Sequence, residues 1–128
     1  MTTDSDTTLL ALRNEVRKFV DERDWRSFHS PKNLSMSLMV EVAELMEHFQ
    51  WLTQDESRTI DSEKKVAVAE EMSDVFCYLM ALANELDIDI AAAFKRKMEL
   101  NRKKYPVEKY RGRYGDDDQR PVKQLDSV

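Results

Sequence analysis

Apolar residues recur along this chain at helical spacing, and four segments carry the pattern. The first runs from about Thr7 to Asp21, with Leu9, Leu10, Leu12, Val16, Phe19 and Val20 repeating near every third or fourth position. A polar stretch, Asp24-Trp-Arg-Ser-Phe-His-Ser-Pro-Lys-Asn33, follows, and Ser30 with Pro31 reads as a cap and first-turn pair. The second segment spans about Lys32 to Leu52 and the third about Ser62 to Leu86. They are joined by the polar link Thr53 to Ser62. Asp87 or Asp89 caps a fourth segment that ends near Lys104, ahead of Pro106. Residues 32–105 hold neither glycine nor proline. Tight hairpins depend on residues tolerant of positive φ, so this scarcity favours long helices over strands. The expected class is all-α, a four-helix-bundle-like fold over residues 1–110, followed by a hydrophilic, loosely ordered tail over 111–128 that carries Asp116-Asp117-Asp118.

Composition narrows the function classes. With 128 residues, one domain is expected. The formal charge of -5 argues against a general nucleic-acid binder, whose affinity rests on neutralising phosphates. The longest apolar run, Val75 to Ala83, falls far short of the ~20 residues that cross a bilayer, so no membrane partner is expected. The first eight residues have neither the basic start nor the apolar stretch of a secretory leader. A single cysteine, Cys77, excludes an intrachain disulfide, and a reducing cytoplasmic location is the simplest expectation. Cys77 and the methionines read as packing residues.

Four acids interrupt the two most apolar segments. Glu41 and Glu44 are spaced i, i+3, as are Glu71 and Asp74, which puts each pair one turn apart on one helix face. Ser37, His48 and Trp51 share the Glu41 stripe, while Leu38, Met39, Val42, Met46 and Phe49 are expected to fill the opposite face. No Lys or Arg occurs between Leu34 and Leu52 or between Val66 and Leu86. A carboxylate buried alone is costly, so the counter-charge is expected to come from outside the chain. Oxygen-only ligands select a hard ion such as Mg²⁺, or Mn²⁺, and Mg²⁺ commonly completes its shell with substrate phosphates. That combination points to metal-assisted chemistry on a phosphate bond. Trp25 and Phe28 lie in a loop and offer faces for base stacking, or plug the bundle end; Tyr78, one turn past Asp74, faces substrate or core. The second and third segments are apolar around most of their circumference, which predicts an obligate homo-oligomer.

Glu41-x-x-Glu44 followed by Glu71-x-x-Asp74 resembles the metal-binding signature of the MazG-like all-α NTP pyrophosphohydrolases, most closely the dCTP pyrophosphatase branch. Three further segments are similar to that branch: Glu22 to His29 with Pro31 and Asn33, Phe49-Gln-Trp51, and Lys97 to Pro106. The resemblance covers roughly residues 9–110. It implies a MazG-type fold assembled as an intertwined homotetramer, a dimer of dimers. It also implies Mg²⁺-dependent cleavage of a (d)NTP, dCTP or a modified dCTP first, to the monophosphate and pyrophosphate, as nucleotide-pool housekeeping. By the same resemblance Glu41, Glu44, Glu71 and Asp74 are catalytic metal ligands. Trp25, His29, Trp51 and Tyr78 contact the nucleotide, and Lys97, Asn101, Arg102 and Lys104 fall near the phosphates. His48 stands where relatives carry an apolar residue, and bears on either the pocket or the metal site. The alternatives are a non-catalytic helical oligomeric interaction protein, or the same fold acting on dUTP or a phosphoribosyl nucleotide.

Overall fold

Helix starts in this protein are set by side chains that accept from otherwise unpaired backbone N–H groups. In the computed structural model, which describes residues 2–124, Thr8 caps α1 (Leu9–Glu22) by accepting from Ala11 N–H. Ser30 caps α2 (Pro31–Glu47), whose Pro31 occupies the first turn, where a missing N–H costs nothing. Thr53 and Glu56 form a reciprocal capping box on the short α3 (Gln54–Arg58), inside the link expected to be irregular. The same exchange holds the Glu56 carboxyl below its ordinary pKa. Asp61 caps α4 (Ser62–Glu85) and Asp89 caps α5 (Ile90–Lys104). A last turn, α6 (Val107–Tyr110), follows Pro106. Among the described residues there is no strand, and no helix is long and apolar enough to cross a membrane.

Two helices end without glycine. Asp24 and Asp87 take left-handed backbone angles, φ 49° and 52°. At α1, Trp25 N–H reaches back to Val20 O and Asp24 N–H to Asp21 O; at α4, Ile88 N–H bonds to Ala83 O and Asp87 N–H to Asn84 O. Both are the paired six-to-one and five-to-two closure that glycine usually permits. Aspartate tolerates the left-handed region better than most side chains, which is how a chain poor in glycine turns sharply here. α2 also stops earlier than its apolar pattern, at Glu47, and residues 48–52 run in tight turns closed by Phe49 N–H to Met46 O and Leu52 N–H to Phe49 O.

The chain divides into two units, Met1–Ile88 and Asp89–Val128. In the first, α2 packs along α4 and α1 packs on α4. The buried apolar side chains are Leu34 from α2 and Val68, Met80, Ala81 and Ala83 from α4. Leu38 and Phe49 are half-buried rather than on the far side of α2 from Glu41, whereas Met39, Val42 and Met46 are exposed, Met39 at 66%. A polar clamp joins α1 to the end of α4. Asn84 Oδ1 accepts from Arg13 Nε at 3.1 Å and from Arg17 Nη2 at 3.3 Å, and Asn84 Nδ2 donates to the Arg13 carbonyl at 3.0 Å. Arg13 Nη1 also donates to Ile88 O at 2.8 Å.

In the second unit, Tyr105 and Tyr110 meet edge to face, with ring centroids 5.1 Å apart. Beyond α6 the chain is tied by hydrogen bonds, with Lys123 N–H on Arg111 O and Arg113 Nε on Asp118 O. Asp118 accepts from the backbone N–H groups of Tyr114 and Arg120 and from the Arg120 guanidinium, which hold its carboxyl well below the ordinary range. Residues 125–128 of the expected tail, and Met1, lie outside the described residues.

Two stability changes follow. Asn84→Ala, which strips a half-buried acceptor from two guanidinium groups, is expected to cost about 1–3 kcal/mol in chemical denaturation. Asp87→Gly is expected to gain up to about 1 kcal/mol and Asp87→Val to lose at least that much, because only the latter strains the left-handed turn.

Candidate metal and nucleotide site

The α2–α4 seam carries the acids together. Oxygens of Glu41, Glu44 and Glu71 lie within 4.8 Å of one another, Glu41 and Glu71 half-buried and Glu44 exposed. Helical spacing alone unites each pair; packing of α2 on α4 unites the pairs. Burial pushes the Glu41 carboxyl above its ordinary pKa, and a side-chain hydrogen bond with Glu44 and the charges of Glu44, Asp74 and Glu71 push the same way. Asp74 is one turn beyond Glu71 and exposed; its charge reaches Glu41, but its oxygens stand outside the three-residue cluster. His48 sits against the cluster, its Nε2 3.8 Å from Glu71 Oε1. Cys77 is half-buried on α4, and burial, then the charges of Asp74 and Glu41, push its thiol pKa up. That direction disfavours the thiolate.

A second cluster is aromatic. The left-handed turn at Asp24 delivers Trp25 to the end of α1, where its ring meets Phe19 edge to face at 5.8 Å. Trp25 stands 6.1 Å from the His29 ring, and His29 stands 6.4 Å from Tyr78. The intervening loop is tight: Phe28 N–H bonds to Trp25 O, His29 N–H to Arg26 O, and Asn33 Nδ2 to Phe28 O. His29 Nδ1 is buried without a hydrogen-bond partner among the described residues. Tyr78 follows Asp74 by one turn, so α4 links the acid cluster to the aromatic row. Trp51 is 87% exposed in the turns after α2.

Lys97, Asn101, Arg102 and Lys104 lie on α5 in the second unit. Arg102 pairs with Glu99, Lys104 places its ammonium 5.2 Å from the Tyr105 ring centroid, and Asn101 is half-buried one turn from Met98. Such cations at a helix C-terminus also complement its dipole. Sequence reasoning did not single out Arg17, Asp21 and Asn84, which line a cavity beside His29. Their spacing at i, i+4 on α1 was visible, but nothing in the sequence pairs α1 with the end of α4.

A model of the MazG-like family matches residues 36–116. The dCTP pyrophosphatase 1 of Bos taurus is 41% identical over 110 residues, covering 84% of this chain and 65% of that protein. The Homo sapiens dCTP pyrophosphatase 1 is 42% identical over 102 residues, covering 78% of this chain and 60% of that protein. The chain thus spans about 60–65% of the length of these curated relatives. The crystal structure of a pyrophosphatase from Archaeoglobus fulgidus superposes with a TM-score of 0.73 at 40% identity, over 83% of this chain and 99% of that one. Paired carboxylates on two packed helices, the matching family model and these relatives lead to one assignment: the chain belongs to the MazG-like family.

Proposed function

We propose that this protein is a Mg²⁺-dependent nucleoside triphosphate pyrophosphohydrolase that converts dCTP, or a modified dCTP, to the monophosphate and pyrophosphate. The observation that carries this is the convergence of Glu41, Glu44 and Glu71 within 4.8 Å, on two helix stretches devoid of Lys and Arg. Like charges at that distance repel, and the neighbouring charges add to the burial that raises the Glu41 pKa. An all-oxygen donor set of this charge fits a hard divalent ion, Mg²⁺ or Mn²⁺. Glu41, Glu44 and Glu71 would hold it, with Asp74 as a fourth ligand. Bound there, the ion supplies charge neutralisation on the triphosphate and a lower pKa for the attacking water. The choice of dCTP follows the named activity of the curated relatives.

The chain's own residues then divide the work. Glu44 or Glu71, through a second oxygen, orients the attacking water and accepts its proton. Trp25, His29 and Tyr78 form the wall against which the base rests, and exposed Trp51 is assigned to the nucleotide by the family resemblance alone. Lys97, Asn101, Arg102 and Lys104 are assigned to the departing pyrophosphate by the family resemblance. Exposed Met36, Met39, Val40 and Met46 on α2, with Val66 and Met72 on α4, form the surface proposed for homotetramer assembly. A free, half-buried thiol suits a cytoplasmic setting.

Pure protein with Mg²⁺ and a nucleotide panel should release pyrophosphate, fastest from dCTP. Orthophosphate with a diphosphate product, or no turnover, would contradict the assignment, and dUTP as best substrate would redirect it. Glu41→Gln should lower kcat by at least ~100-fold while helical circular dichroism survives. Calorimetric silence towards Mg²⁺ and Mn²⁺, with and without nucleotide, would instead identify a helical scaffold.

The raised Glu41 pKa also sets a pH dependence. Between the unfolded value, 4.5, and the raised folded value, the folded state binds the proton more tightly. Metal-free stability therefore rises as pH falls through that window and declines as pH climbs out of it. Mg²⁺ is expected to raise Tm more at pH 8 than at pH 5, and Glu41→Gln to flatten both trends. Met39→Lys is expected to shift the species seen by light scattering towards monomer; a wild-type monomer at micromolar concentration would remove the assembly proposal.

A further inference from the structure

We propose that Arg17 and Asp21 read the hydrogen-bonding edge of an aminopyrimidine base, which makes them specificity-determining residues; this rests on the dCTP reading above. A cavity of about 40 Å³ opens between α1, the loop after it and α4, bordered by Arg17, Asp21, Arg26, His29, Asn84 and Glu85. A water needs roughly 10–15 Å³ of such space, so the cavity admits two or three waters or the edge of a ring, not a whole nucleoside. The ring itself would lie outside it, against His29, which borders the cavity and stands in a row with Trp25 and Tyr78. The buried, unpartnered His29 Nδ1 marks the same place as one that a polar partner completes.

Position along α4 supports the assignment. Glu71, Asp74, Tyr78, Ala81 and Glu85 recur at three- and four-residue steps, on one face. From Asp74 to Glu85 is roughly 16 Å at 1.5 Å per residue, the reach of an extended nucleotide whose phosphates lie at the acids.

The polar groups differ in how far they are already committed. Asn84 Oδ1 accepts from both Arg13 and Arg17, and its amide donates to the Arg13 carbonyl, so Asn84 is spent on positioning. Arg17 is thereby held in place by one N–H, and its remaining donors are left for a ring acceptor. Glu85 faces Arg26 at 4.0 Å. The Asp21 carboxylate, four residues after Arg17 on the same face of α1, meets no donor among the described residues. A guanidinium beside an uncommitted carboxylate matches cytosine, which shows ring acceptors beside a 4-amino donor. Uracil places a carbonyl oxygen where that amino group stands, and two acceptors then face each other.

Calorimetric titration with dCMP and dUMP, without metal, tests the pair, with the kcat/KM ratio for dCTP over dUTP measured in parallel. Wild type is expected to favour the cytosine nucleotide by about 10-fold or more. Asp21→Asn, whose amide can donate to a carbonyl, should cut that preference about 10-fold by weakening dCMP while sparing dUMP. Arg17→Gln should weaken both nucleotides together, since both carry the ring 2-carbonyl. If wild type hydrolyses dCTP but Asp21→Asn leaves both ratios unchanged, or lowers both nucleotides equally, the pair is not the reader and the dCTP reading stands. If wild type shows no cytosine preference the proposal falls, and if it turns over no triphosphate the functional reading falls with it.

Discussion

Carboxylates do not gather without a reason to, and the arrangement of the first unit turns on what forces three of them together. Glu41, Glu44 and Glu71 are brought within 4.8 Å by packing of α2 along α4, in a unit whose buried apolar side chains are Leu34, Val68, Met80, Ala81 and Ala83. Hydrophobic burial is indifferent to charge, so it can hold like charges closer than they would choose. Burial raises the proton affinity of Glu41, the neighbouring carboxylates add to it, and a divalent cation that enters would relieve their repulsion. His48 Nε2 stands 3.8 Å from Glu71, and no ion pair with Lys or Arg reaches Glu41, Glu44 or Glu71 among the described residues.

The other end of α4 is organised by hydrogen bonds instead. Asn84 binds two guanidinium groups and a backbone carbonyl, Arg13 reaches on to Ile88 O, and left-handed aspartates close both α1 and α4. The effect is to fix the start of the Trp25–His29 loop relative to Tyr78 through backbone geometry rather than through a large core. α4 therefore carries Glu71 and Asp74 one to two turns before Tyr78, with α2 packed beside the acids and the loop after α1 beside the ring. The thinness of the core and the exposed methionines of α2 belong together, since apolar residues left on the surface of one chain are what a second copy would cover.

Much of this was legible in the sequence because helices are local. Apolar spacing, the cap Ser30, a cap at Asp87 or Asp89 (the structure uses Asp89), and the stop before Pro106 marked the helices, and the i, i+3 spacing of Glu41 with Glu44 and of Glu71 with Asp74 put each pair on one face. Where local signals were weaker, the chain departed from expectation. α2 stopped at Glu47, and the Thr53-x-x-Glu56 capping box built a helix in a segment read as a link. Leu38 and Phe49 are half-buried while Met39, Val42 and Met46, expected on the same face, are exposed.

The sequence by itself determined where the long helices run to within a turn or so, which acids share a turn, and that no Lys or Arg interrupts the stretches that carry them, because each of these depends on neighbours within a few positions. Only the tertiary structure decided that two acid pairs meet, that Asp74 stands slightly apart from the other three, and that Arg17, Asp21 and Asn84 border one cavity with His29. Those facts join residues tens of positions apart, and their distances follow from how whole helices pack, which no local spacing encodes.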